Sequence, residues 1–158
     1  MVRTFSALIF LIATSYAQQK TIPQIAVSDL LAEGVKQSEA NVVTEQLRAE
    51  LQKTGSFRII ERSQMQEILK EQGFQQTGCT TDACAVQVGQ MLGVNDIVVG
   101  TLGIAGSYTV LAVRIIDVQT GEVMANETVK TSGIDKMIES GAPFVQDNLF
   151  IYRQFTLK

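Results

Sequence analysis

The stretch DIVVGTLGIAGSYTVLAVRIIDVQTGE, residues 96–122, decides the fold class. Residues 97–102 and 108–118 are dense in β-branched and aliphatic side chains and are separated by Gly103 and Gly106, which reads as strand, glycine turn and long strand. In the long strand Tyr108, Val110, Ala112, Arg114 and Ile116 fall on one face, and Leu111, Val113 and Ile115 on the other. Both faces are largely apolar, so helices are expected on both sides of the sheet. Asp117-Val-Gln-Thr-Gly-Glu122 then supplies a hairpin in which Gly121 is free to take positive φ. Residues 123–130 return as a third antiparallel strand with alternating polarity, the pattern of a sheet edge.

Upstream, helix and strand patterns alternate. Residues 24–30 (QIAVSDL) read as a buried strand closed by Asp29, and the chain turns through Gly34. Ser38 is placed to cap a helix in which Ala40, Val43, Leu47 and Leu51 recur at spacings of three and four, with Gly55 at its end. Residues 57–61 (FRIIE) form a second strand, so two strands flank a helix in the manner of a right-handed βαβ unit. Ser63 and Gln66 have capping-box spacing before a short helix carrying Met65, Ile68 and Leu69. Thr81 caps a third helix, with Cys84, Val88, Met91 and Leu92 along one side and Gly93 as its stop. Residues 134–152 read as helical, with Ile134, Met137, Ile138, Val145 and Leu149 in register and Pro143 breaking or kinking them. The expectation is an α/β domain with a mixed sheet of about five strands: a βαβ start, then an antiparallel three-strand meander, with helices packed on the sheet.

Residues 1–17 have the form of a signal peptide: Arg3 as the positive end, an apolar run over 7–13, and Ser15 and Ala17 before a cleavage point. The run is well short of the roughly 20 residues a spanning helix needs, and no membrane span is expected once it is removed. A lipoprotein signal would carry a cysteine at that point, and none occurs before Cys79. Residues 18–23 are then a linker and 24–158 a single domain, periplasmic or secreted. Removing Arg3 takes the 13 basic residues to 12 against 16 acidic ones, a formal charge of −4. With Lys36, Arg48, Lys53, Arg58 and Arg62 scattered among acids, no nucleic-acid partner is expected. The 46% apolar content excludes a disordered chain.

Little in the sequence carries chemistry. Cys79 and Cys84 are close together in a chain that reads as exported, so a structural disulfide is the expected fate, a local staple worth about 2 kcal/mol. Without histidine or a further cysteine, a zinc site lacks ligands, and no metal or cofactor is expected. Gly100, Gly103 and Gly106 lack the following helix that a dinucleotide fingerprint requires. No nucleophile elbow or spaced acid pair argues for catalysis. Asp29, at the carboxyl end of the first strand, is the candidate for a ligand cleft, since ligands bind there in open α/β sheets, although an acid at that place more often caps or turns the chain. Residues Val123, Ala125, Glu127 and Val129 mark the edge strand as a surface that can accept a partner's strand.

Four segments together resemble the CsgG family of curli production assembly/transport components: 24–30, 47–73 with FRIIERSQM at its centre, MLGVNDIVVG at 91–100, and RIIDVQTGE at 114–122. The similarity runs over about residues 23–130. Related α/β domains occur at the amino end of the TolB translocation protein and in outer-membrane lipoproteins that activate peptidoglycan synthases. The resemblance implies a non-enzymatic envelope protein that serves as an accessory or scaffold in assembly or secretion, its partners being other envelope proteins or further copies of the chain. The alternatives it leaves are a regulator of a periplasmic cell-wall enzyme and, less favoured, a small-ligand-binding domain. Channel-forming members contribute long β-hairpins to a membrane barrel. Here the connections are too short for the added spans of about 9 to 11 residues, so the pore is not carried over.

Overall fold

Strand formation by the apolar runs and helix formation by the stripes between them give one mixed six-stranded sheet in the computed structural model, which describes residues 22–74 and 81–139. The chain order is β1 (Gln24–Val27), β2 (Leu31–Glu33), α1 (Gln37–Lys53), β3 (Arg58–Ile59), α2 (Arg62–Glu71), α3 (Asp82–Leu92), β4 (Asp96–Ala105), β5 (Tyr108–Asp117), β6 (Val123–Thr131) and α4 (Ile134–Glu139). In space the strands run β3-β1-β4-β5-β6, with β2 also on β4. β1 is parallel to β3 and to β4, and β4, β5 and β6 form the expected antiparallel meander. The expected signal segment, Cys79 and the expected helix beyond residue 139 lie outside the described residues.

The sixth strand arises because the first apolar run is interrupted. Val27 pairs with Val98 and Leu31 with Thr101, so Ser28, Asp29 and Leu30 span the length that Val99 and Gly100 cover on β4. One extra residue on one strand is a bulge, which bends the chain and re-aims a side chain. Helix α1 satisfies the backbone freed there: Thr44 Oγ1 accepts from the Leu30 N–H at 3.1 Å, and Gln37 Nε2 donates to the Leu30 carbonyl at 3.0 Å. Leu30 itself packs over Gly100, where a Cβ would meet the Ala112 carbonyl oxygen and come within 2.9 Å of Leu30 Cδ2. Gly100 is therefore required by close approach inside β4, and Gly103, expected as a turn residue, also lies inside that strand opposite Val110. The turn between β4 and β5 is only Gly106-Ser107.

Helices cover both sheet faces, as the two-sided apolar pattern requires. On one face α1 places Ala40, Val43, Leu47 and Leu51 against Ile25, Val27, Val98, Leu111, Val113 and Ile115, and α4 adds Met137. On the other, α2 and α3 place Met65, Leu69, Ala85, Val88 and Leu92 against Ala26, Ile97, Val99 and Ile116. Cys84 and Met91 are only half-buried, so the buried side of α3 is rotated from the expected one and runs through Ala85, Val88, Gly89 and Leu92. Gly89 makes this possible, since its bare Cα sits against Val118.

Helix starts differ from expectation at two places. Helix α1 begins before Ser38, with Lys36 as N-cap, and the Lys36 N–H donates to Glu39 Oε2 at 2.9 Å, so an acid reaching back from the first turn replaces the serine cap. The Ser63 and Gln66 capping box is not formed: α2 starts at Arg62 and its N-cap, Glu61, makes no side-chain cap bond. Thr81 does cap α3, accepting from the Cys84 N–H at 3.3 Å. The second strand shortens from five residues to Arg58 and Ile59.

Candidate functional site

The bulge after β1 presents Asp29 to two arginines from different helices. Arg62 Nη2, in the first turn of α2, lies 2.6 Å from Asp29 Oδ2, and Arg48 Nη2, on α1, lies 3.3 Å from Oδ1. The same Arg48 nitrogen donates to the Val27 carbonyl, and Arg48 Nη1 pairs with Glu45 Oε1 at 2.6 Å. Glu45 is 3.7 Å from Arg62 Nη1, which closes a four-membered network of two acids and two bases. Its Arg48 end is deeply buried, with the side chain 8% exposed, while the Arg62 side chain is 33% exposed. The network ties the end of β1 to helices on opposite faces of the sheet. Asp29 does lie at the carboxyl end of a parallel strand, as expected, but its two oxygens already carry charged partners. Arg48 sits at the next position along the same buried stripe as Leu47, and only its charge sets it apart in sequence.

Strand β6 lies at the end of the sheet order, so one row of its backbone groups has no strand beside it among the described residues. Of the four residues expected to mark this edge, Ala125 and Val129 turn toward the α1 face, and Glu127 stands with Asn126 at a crevice lined by Leu47, Leu51, Val113 and Ile115. Val123 is exposed. Thr128 and Lys130 alternate with them and are exposed on the other side, and Asn126, which borders the crevice, is also exposed. A register shift between Ile115 and Ile116 doubles the residues opposite Ile116 and bends the start of the edge. A second surface lies at the far end of the sheet. There, an open cleft of about 590 Å³ is bordered by Val35, Lys36, Ile104, Tyr108 and Ile134, and Ile104 and Tyr108 are both more than half exposed.

Among the described residues no group of three or more acids or cysteines is placed to hold a metal ion, and no helix is long and apolar enough to cross a membrane. Cys84 stands in the first turn of α3, and its expected partner Cys79 is outside the described residues.

Several solved structures share this arrangement. The LpoB C-terminal domain from Escherichia coli superposes with a TM-score of 0.60 at 20% identity, over 71% of this chain and 84% of that one. Lipoprotein GNA1162 from Neisseria meningitidis gives 0.59 at 13% identity, over 80% and 99%. TolB from Acinetobacter baumannii gives 0.55 at 14% identity, over 86% of this chain and 29% of that larger one. At these identities the likeness is one of fold. No curated protein matches the chain in sequence. The model of the curli production assembly/transport component CsgG matches residues 10–107, more than half of the chain and including β1 through the β4–β5 turn, and the chain belongs to the CsgG family.

Proposed function

We propose that this protein is an exported, non-enzymatic domain of a Gram-negative-type cell envelope that acts as an accessory or scaffold in envelope assembly or secretion by binding other proteins. Membership of a family of assembly and transport components carries the reading. The geometry is consistent with it: the strongest charge cluster is spent on tying β1 to two helices, while β6 leaves backbone donors and acceptors along nine residues at the sheet edge. Such an edge can take a partner's strand, with main-chain hydrogen bonds supplying affinity and alternate side chains supplying selectivity. A partner strand laid there would have to accommodate the Glu127 carboxylate on the α1 side and Lys130 on the other.

Cross-linking and capture from solubilised envelopes, followed by mass spectrometry, tests the reading. A component of a secretion channel or surface fibre supports it. A peptidoglycan synthase moves the role to regulation of a cell-wall enzyme, and retention of a small molecule with no protein overturns both. Proline at Asn126 or Thr128 removes one backbone donor while leaving the buried face untouched. Capture weakened at least tenfold with unchanged circular dichroism places the partner on β6, and unchanged capture places it elsewhere.

A further inference from the structure

Three connections meet at the cleft at the far end of the sheet. Gly34 and Val35 lead from β2 into α1, Gly106-Ser107 turn β4 into β5, and Gly133 leads from β6 to Ile134 at the start of α4. Each connection contains a glycine, so none of these three positions puts a side chain into the opening. Val35 and Ile134 are held in place by packing against the core on the α1 side. Ile104 and Tyr108, from the strands on either side of the turn, are 56% and 53% exposed. They are two of the five large apolar side chains left exposed among the described residues, and both border this one cleft. Apolar residues scattered singly over a surface are ordinary, whereas a pair brought together at a concave place marks a surface that another molecule covers.

The shape and charge of the cleft select the kind of molecule. Its volume of about 590 Å³ is that of a small-molecule site, but it is open, and a small-molecule site buries most of its ligand. A free ligand here keeps much of its surface in water, while one side chain of a larger partner is sealed in by the chain around it. Of the two charges at the rim, one is already spent. Glu39 Oε2 accepts from the Lys36 N–H at 2.9 Å, and the end of α1 offsets its negative charge. The Lys36 ammonium has no acid within ion-pair distance among the described residues, and its side chain is exposed. An apolar side chain seated against Ile104 and Tyr108 thus has an uncommitted cation beside it. We propose that this cleft docks an extended segment of a partner protein in which a large apolar residue adjoins an acidic one, Ile104 and Tyr108 taking the apolar side chain and Lys36 the carboxylate. The site is separate from the β6 edge and does not rest on the envelope reading, so either stands if the other fails.

The test titrates the isotope-labelled protein with the peptide acetyl-Gly-Phe-Glu-Gly-amide and follows the backbone amides by NMR. Saturable shifts are expected at Gly34, Gly106 and Gly133, with a Kd in about the millimolar range. The same peptide with Gln in place of Glu should bind about two- to fivefold more weakly, and in Lys36→Gln the two peptides should bind alike. Tyr108→Ser should remove saturation by both while the spectrum away from the cleft is kept. Shifts that avoid these three glycines, or no saturation, overturn the proposal. A preference for the Glu peptide that survives Lys36→Gln also overturns it, because the carboxylate is then read elsewhere. Phenylacetate binding as tightly as the peptide makes a free small acid the occupant, and glycine shifts that grow with protein concentration alone make it a second copy. Either result overturns the proposal as well.

Discussion

Replacing Asp29 with alanine separates a structural anchor from a ligand site, because the two make opposite demands on stability. The substitution strips a carboxylate from two guanidinium groups at once. Arg62, one-third exposed, can rehydrate, so its share is that of a surface bridge, below about 1 kcal/mol. Arg48 is 8% exposed and cannot, but it keeps the Val27 carbonyl and Glu45. Its loss is therefore smaller than the 3–5 kcal/mol, approximately, of a fully orphaned buried charge. The expected total is about 2–3 kcal/mol, or a fall in Tm of about 4–10 °C for a domain of this size. Urea unfolding followed by circular dichroism suits the measurement, since the chain has no tryptophan. Repeating it in an Arg48→Met background isolates the pair: the loss from Asp29→Ala should shrink by more than half there. A loss below about 0.5 kcal/mol, or one undiminished by Arg48→Met, would refute the anchor role and return Asp29 to the candidates for ligand binding.

Three further outcomes follow from the same reasoning. Gly100→Ala should destabilise by about 1–3 kcal/mol in urea unfolding, and Leu30→Ala should not restore it, because the larger conflict is with the Ala112 backbone oxygen. With both Cys79 and Cys84 replaced by serine the protein should fold but lose about 2 kcal/mol, and thiol titration of the unreduced, unfolded native protein should find none free. Two free thiols would contradict the bridge. Mass spectrometry of the protein from its native host should find Gln18 at the amino end, and a cytoplasmic form retaining Met1 would remove the argument for export and with it the expected oxidation.

The elements with strong periodicity were legible in the sequence, and those fixed by distant contacts were not. Helix α1 was visible because Ala40, Val43, Leu47 and Leu51 repeat on one face, and all four are buried. The β4–β5–β6 meander was visible because its turns are short and its strands long, so pairing is local. The break between β1 and β2 left no signal, because QIAVSDL reads as one apolar run. What interrupts it is Thr44 and Gln37, seven or more residues away, meeting the backbone of Leu30. The absent capping box at Ser63 has a similar origin. Helix α2 begins two residues earlier, at Arg62, whose side chain is drawn to an aspartate 33 positions back.

The same division runs through the candidate site. Asp29 could be placed from sequence, because the carboxyl end of a parallel strand is a position with known consequences. Its partners could not, because an arginine on a helix stripe is ordinarily a solvated residue whose stem covers apolar surface. Only the bulge, by turning Asp29 off the sheet, makes Arg48 a buried base with an acid to meet. Strand β6 presents the reverse case. Its position at the edge was readable from polarity alone, yet polarity is equally the means by which natural edges avoid unwanted pairing. Glu127 is therefore the residue on which the two meanings divide. If its carboxylate serves to repel a neighbouring strand, Glu127→Thr should make the protein associate with itself as concentration rises. If it instead selects a partner with a cation opposite, the same substitution should weaken capture and leave the protein monomeric. Sedimentation and capture on one variant thus read both meanings, and a variant unchanged in both would remove β6 as an interaction surface.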